Sequence, residues 1–245
     1  MQSMPSTQPH EKPSLAIETS GRCGAVALAM NGKVVVEESF PHGLKHAAEL
    51  LPMIDRMIRR QGLTPADLGI LFVSEGPGSF TGLRIGITLA KTLALVTGAK
   101  LVAVPTLKVL TMNAPVEAQH VIIVLDAKRD QIFTGRFERV EGNWVERESA
   151  HLDSLSAMIE RSPKPVYLLG EGIPFHAKFI PIEPEKIIVT AETLWSARAR
   201  CVAGIGAVMA AAGQFTDPDR LVPLYVRKPE AEEKWDLLNS RAVGG

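Results

Sequence analysis

Between the apolar run Ile70-Leu71-Phe72-Val73 and a helical pattern from Phe80 to about Thr97 stands the segment Glu75-Gly-Pro-Gly-Ser-Phe-Thr-Gly-Leu-Arg-Ile-Gly86. The apolar run has the length and composition of a buried strand, and Gly98 supplies a stop for the helix. The segment therefore predicts strand, glycine-rich turn, helix. Such a turn aims backbone N–H groups and the positive end of a helix at whatever lies in front of it, often an anion. It fits neither standard phosphate-loop template. Gly82 is followed by Leu-Arg rather than Lys-Ser/Thr, and the run Gly76-x-Gly78-x-x is completed by Thr81 rather than glycine. A tight structural turn with a helix cap is the alternative reading, with Ser79 and Thr81 as the hydroxyls nearest any ligand.

The helix carries a second constraint. At about 100° per residue, Gly82, Gly86, Ala90 and Ala94 fall side by side, with Leu83 and Ile87 on one flank and Ile85, Leu89, Leu93 and Val96 on the other. Arg84, Thr88, Lys91 and Thr92 mark the polar face. The apolar sector spans roughly 200°, twice what a one-sided surface helix needs. A row of small residues also lets another helix approach closely. Either a neighbouring helix of this chain or a second polypeptide fills the notch.

At 245 residues the chain holds one large domain or two small ones. Hydrophobic residues are 46%, enough for a sizeable core, and 27 basic residues balance 27 acidic ones, so no global field attracts nucleic acid or membrane. The basic runs are only Arg59-Arg60 and Lys128-Arg129. Cys23 and Cys201 lack metal spacing and read as reduced, packed thiols of a cytoplasmic protein. No apolar run approaches the ~18 residues of a membrane span. Residues 1–13 are polar, with Pro5, Pro9 and Pro13, and read as a disordered tail.

Ordered pattern begins at Ser14. Leu15-Ala16-Ile17 is a short strand ending in Glu18; Asn31-Gly32 between two β-rich runs is a hairpin signal. A helix is predicted over 44–61, with Leu50, Met53, Ile54 and Met57 on its apolar face and Pro52 bending it or marking its first turn. A strand over 100–104 follows the glycine-rich helix. The order then repeats: strands at 121–125, 132–137 and 144–147, a helix at 155–161, strands at 166–169 and 187–189 around Gly170-Glu-Gly172, and an alanine-rich helix over 193–212. This is a duplicated α/β unit with mixed sheets. Each half ends its first strand in a carboxylate, Glu18 and Asp126. Ligands of open α/β folds sit beyond the carboxyl ends of strands, so Glu18, Ser79, Thr81 and Asp126 are the nucleotide-proximal candidates. A plain strand-end cap is the alternative for both carboxylates.

With Leu-Ala-Ile-Glu-Thr-Ser at 15–20, Gly-Pro-Gly-Ser-Phe-Thr-Gly-Leu-Arg-Ile-Gly at 76–86 and Asp-Ala-Lys at 126–128, the chain resembles the TsaB (YeaZ) family. His46-x-x-x-Leu50-Leu51-Pro52, Pro105-Thr106-Leu107 and Pro223-Leu224-Tyr225-Val226-Arg227 add to the likeness, which runs from about residue 14 to 235. The resemblance implies two ribonuclease H-like lobes of the actin-like, sugar-kinase/Hsp70 ATPase superfamily, at 14–106 and 107–226, followed by a C-terminal segment over 227–245. It implies a role in making N6-threonylcarbamoyladenosine at position 37 of ANN-decoding tRNAs. In that family the TsaB-like chain is the non-catalytic paralogue that binds and activates the transferase TsaD, and the resemblance implies the same role here. TsaE is the third, ATP-hydrolysing component, and a homodimer forms when TsaD is absent. ATP and a metal ion then belong to the partner subunits, with no cofactor required by this chain and tRNA met only through the complex. The expected contact surface is the helix pair, through Leu50, Met53, Ile54, Met57, Gly82, Leu83, Gly86, Ile87, Ala90 and Ala94.

No catalytic residue is assigned. TsaD-like catalysts build a metal site on a His-x-x-x-His helix segment after the glycine-rich region. Here that spacing occurs only at His42-Gly-Leu-Lys-His46, before it, without an acidic third ligand, so no metal site is assigned either. Two departures weigh against a nucleotide site. The family usually has Asp where this chain has Glu18, which moves the carboxylate outward by one methylene, and often has Gly-Glu where this chain has Asp130-Gln131. An independent nucleotide-dependent enzyme using Glu18, Asp126 and the Ser79/Thr81 turn, or a metallopeptidase on His42 and His46, are the competing functions.

Overall fold

The computed structural model describes residues 12–41 and 46–226. The expected N-terminal tail, except Lys12 and Pro13, and the segment 227–245 lie outside the described residues. So do His42 and the side chain of His46.

Strands β1 (Ser14–Glu18), β2 (Cys23–Met30) and β3 (Lys33–Pro41) form an antiparallel meander. Asn31 and Gly32 turn it with φ of 50° and 73°, both left-handed as a two-residue hairpin loop requires. Helix α1 (His46–Arg60) runs through Pro52. Strand β4 (Ile70–Gly76) then pairs parallel with β1, helix α2 (Phe80–Thr97) crosses back, and β5 (Lys100–Pro105) pairs parallel with β4. Gly98 caps α2 at φ 72°. The sheet order is β3-β2-β1-β4-β5.

A short helix α3 (Thr106–Thr111), not expected from the sequence, leads to β6 (His120–Asp126), β7 (Ile132–Val140) and β8 (Asn143–Asp153). Helix α4 (Leu155–Arg161), β9 (Val166–Leu169), the one-turn helix α5 (Ile173–His176), β10 (Ile187–Val189) and helix α6 (Ala199–Ala211) complete the fold. The second sheet is ordered β8-β7-β6-β9-β10. With β6 and β7 antiparallel and β6, β9 and β10 parallel, this is the topology of the first sheet repeated. The duplication read in the sequence is a duplication of strand order.

Side chains alternate across each strand and sort the molecule into five layers. Leu15, Ile17, Val26, Leu28, Leu71 and Val73 face α1 and α2. Ala16, Ala27, Phe72 and Val102 face the other way, toward α3 and α6, which also cover Val121, Ile123 and Tyr167 of the second sheet. Ile122, Val124 and Leu168 look outward onto α4 and α5. One helix boundary differs from the expectation. The helix expected over 193–212 begins only at Ala199, because Asn113 donates to the carbonyls of Leu194 and Ser196 and holds that stretch out of the helix. Helix α6, inside the stretch assigned to the second lobe, lies on the first sheet as well. A Cβ on Gly206 would stand 2.3 Å from the Phe72 ring, so the glycine lets the helix sit flat there.

Candidate functional site

The glycine-rich turn faces the exit of β1. A Cβ on Gly78 would lie 2.4 Å from the Ser20 carbonyl oxygen, one on Gly82 would lie 2.0 Å from that of Thr19, and one on Gly86 would lie 2.2 Å from the Thr19 hydroxyl. The glycine half of the row, Gly82 and Gly86, is therefore occupied by Thr19 of the same chain, while Ala90 and Ala94 lie in the core shared with α1. The donors of the turn are used internally too. Ser79 N–H donates to the Ser20 carbonyl at 2.7 Å, and Gly82 N–H donates to the Ser79 hydroxyl at 3.2 Å as a helix cap. Ser79 is thus a cap; Thr81 is exposed on the first turn of α2.

Glu18 does not point outward. It is 0% exposed, and its Oε1 accepts from the Ser20 N–H at 2.6 Å and the Ser20 hydroxyl at 2.5 Å. Oε2 accepts from the Ser74 hydroxyl on β4. Burial raises its pKa above the ordinary 4.5, against the lowering effect of the serine bonds, and nearby Glu171 adds to the rise. The extra methylene folds the carboxyl back between two serines.

Asp126 stands at the corresponding end of β6 and stays partly open. It pairs with Nε2 of the buried His176 at 3.0 Å and accepts the Lys128 N–H at 3.2 Å. The turn beyond it is left-handed at three successive non-glycine residues, Lys128, Arg129 and Asp130, with φ of 61°, 54° and 57°. Asp130, where the family often has glycine, holds this conformation while paired with Lys178 at 2.9 Å. Between the lobes, Glu171 of Gly170-Glu171-Gly172 accepts the Arg22 N–H at 2.7 Å and the Ser196 hydroxyl at 2.6 Å. The Arg22 guanidinium lies 4.6 Å from the Phe175 ring centroid. Ser74, Glu171, His176 and Ser196 were not singled out from sequence; the one signal was a charged residue between two glycines just after a strand.

The contact residues expected on the helix pair prove to be core. Leu50, Met53, Ile54, Met57, Gly82, Leu83, Gly86, Ile87, Ala90 and Ala94 are all buried. The wide apolar sector arises because α2 is covered by the sheet and α1 together. What the pair leaves outside is Leu51, 50% exposed, with Ile85 and Leu89 half-buried beside the core and Leu95 and Val96 at the far end of α2. Length and composition of α2 do reach what a membrane span needs, contrary to the sequence expectation; its buried glycines and leucines make it a core helix here.

A segment after α6 straps this region. Leu224 N–H donates to the Glu75 carbonyl at 2.7 Å, Lys91 to the Leu221 carbonyl at 3.2 Å, and Arg84 to the Tyr225 hydroxyl at 2.9 Å, with the Tyr225 ring tilted by 35° against Phe80 at 5.1 Å. The motif around Pro223 and the glycine-rich motif thus form one structure. Cys23 is exposed rather than packed, while Cys201 is half-buried and its thiol pKa is pushed up by burial. Among the described residues, no group of three or more His, Cys, Asp or Glu is placed to hold a metal ion.

Residues 43–235 match the family model described as TsaD, tRNA N6-adenosine threonylcarbamoyltransferase. The chain is 31% identical over 225 residues to the tRNA threonylcarbamoyladenosine biosynthesis protein TsaB of Bacillus subtilis, covering 90% of this chain and 96% of that one. It is 33% identical over 139 residues to TsaB of Escherichia coli, covering 55% of this chain and 59% of that one. Its fold matches that of YeaZ from Pseudomonas aeruginosa, with a TM-score of 0.74 and 24% identity over 87% of this chain and 99% of that one. The duplicated mixed sheets, the joined motifs at 76–86 and 223–226 and the full-length likeness agree, and the chain belongs to the TsaB (YeaZ) family of tRNA threonylcarbamoyladenosine biosynthesis proteins.

Proposed function

We propose that this chain is the scaffold and activator subunit of the bacterial complex that makes N6-threonylcarbamoyladenosine, binding the transferase TsaD rather than catalysing transfer itself. The observation that carries this reading is the fate of the carboxylates between the lobes. Glu18 is enclosed by Ser20 and Ser74, Asp126 pairs with His176, and Glu171 is held by Arg22 and Ser196. A general base or a metal ligand needs a carboxylate free to meet substrate or ion; Glu18 and Glu171 are committed to the fold, and Asp126, though partly open to solvent, is held in its pair with the buried His176. TsaE completes the complex, which works in the cytoplasm, and tRNA is met through it.

The contact surface in this reading is the outer side of α1 and α2, centred on Leu51, Ile85 and Leu89, with the buried residues of the pair fixing its shape. A second copy of the chain takes the same face when TsaD is absent. Reconstituted modification with TsaD and TsaE should depend on this chain, and Leu51→Arg should stay folded yet weaken TsaD binding by about tenfold or more, as loss of a central apolar contact does. Modification that proceeds equally without the chain, or a Leu51→Arg variant with unchanged TsaD affinity, rejects the subunit role or this surface respectively.

A further inference from the structure

The loop after β9 is built to project one side chain. A Cβ on Gly170 would stand 2.4 Å from the Val124 carbonyl oxygen, and one on Gly172 would stand 2.6 Å from the Asp126 nitrogen. Gly170 also lies at φ 136°, where other residues are strained. Both glycines are pressed against the end of β6, and the residue between them reaches the other lobe. Glu171 Oε2 takes the N–H of Arg22 at 2.7 Å; Oε1 takes the hydroxyl of Ser196 at 2.6 Å. A Cβ on Gly21 would lie 3.1 Å from Oε1, so the turn at 19–22 is closed down on the carboxylate. Arg22 adds its guanidinium against Phe175 of α5.

A backbone N–H at the tip of a turn and a hydroxyl converging on one site form a donor pair suited to an oxyanion, and a carboxylate and a phosphate oxygen satisfy such donors in the same way. We propose that Glu171 is a tethered anion: it fills, from the second lobe, the anion-accepting position of the turn at 19–22, latches the lobes there, and excludes phosphate-bearing ligands from that position. Its negative charge, close to Glu18, also repels an entering anion. The role is independent of TsaD binding, so neither inference stands or falls with the other.

The test uses the isolated full chain, inorganic pyrophosphate as the probe in calorimetric titration, and amide hydrogen exchange at Arg22. Glu171→Ala should bind pyrophosphate at least about tenfold more tightly than wild type, the scale of one charge-assisted hydrogen bond, and exchange at Arg22 should quicken by a similar factor. Glu171→Gln, equal in size, should gain affinity in the same direction and carries the test if the alanine variant does not fold. Ser196→Ala should quicken exchange at Arg22 without gain in pyrophosphate binding, because the charge remains. Wild type binding pyrophosphate as tightly as the Glu171 variants overturns the proposal. Faster exchange in those variants without any gain in affinity makes Glu171 a latch only and overturns the tethered-anion role.

Discussion

The two lobes share one strand order and diverge at the same point, the carboxyl end of the central strand. In the first lobe, β1 ends in Glu18, and three glycines at 78, 82 and 86 bring the turn and α2 down on Thr19 and Ser20. The carboxyl is sealed and kept toward its neutral form by burial. In the second lobe, β6 ends in Asp126 beside the Gly170–Gly172 loop and the one-turn helix α5, with no long helix laid on it as α2 is laid on Thr19. The strand runs into a left-handed turn, and the carboxylate keeps 34% of its side chain in solvent beside His176. Topology places a carboxylate at each strand end; how closely the next turn can approach decides whether it becomes part of the core or stays a surface group.

Glycine substitution breaks the difference most directly. Gly82→Ala forces a methyl group to within 2.0 Å of the Thr19 carbonyl oxygen and should cost about 3 kcal/mol, the upper part of the range for overpacking, while Gly172→Ala, whose methyl would meet the Asp126 nitrogen at 2.6 Å, should cost less because the approach is less close. Chemical denaturation of both variants measures the order, and equal losses would mean that the first lobe is no more tightly closed than the second.

Removing the carboxylates sharpens the same contrast. Glu18→Ala strands the donors of Ser20 and Ser74 in the core and should cost about 2–3 kcal/mol, whereas Asp126→Ala should cost about 1 kcal/mol since water can replace it. Comparable unfolding midpoints for the two variants would contradict the burial of Glu18.

The acid limb of the stability profile should carry the signature of Glu18. Its folded pKa lies above the ordinary 4.5, so the folded state binds the proton more tightly than the unfolded one. Its contribution is full below that ordinary value and is lost as pH rises through the elevated folded value. Glu18→Gln should flatten this decline, and Asp126→Asn should leave it in place. An unchanged slope in Glu18→Gln, read from denaturation midpoints across that range, would show that the group titrates normally.

The surface ion pairs should give the smallest effects. Arg161 in the second lobe holds Glu148 and Asp153 together, with Arg136 also on Glu148, and Arg161→Gln should cost up to about 1 kcal/mol as part of a network. Arg59 in the first lobe makes one exposed pair with Asp55, and Arg59→Gln together with Arg60→Gln should leave stability, and reconstituted tRNA modification, unchanged within error. Loss of modification in that double variant, with a steep salt dependence of tRNA binding, would reveal a composite basic face on the first lobe.

Much of this was legible in the residues. The Asn31-Gly32 hairpin, the strand before Glu75, the helix ending at Gly98 and the repeated order of elements all rest on local rules of turn chemistry and periodicity, and each is found where the pattern puts it. Legibility ends where a residue's role depends on what lies across from it. Leu50, Met53 and Ile87 look the same in sequence whether a partner or the chain's own sheet covers them. The helix at 199–211 reads as part of the second half, and only packing shows Gly206 against Phe72 of the first sheet.

Sequence by itself determined most of the elements, their duplication and the family, because periodicity, turn residues and contiguous motifs are properties of neighbouring positions; helix α3 and the late start of α6 escaped it. The occupant of the glycine row, the sealed state of Glu18 and the reach of Glu171 to Arg22 were decided only in three dimensions. Each depends on a contact between residues far apart in the chain, and the distance at which two backbones meet is set by the packing of whole layers, which no local pattern encodes.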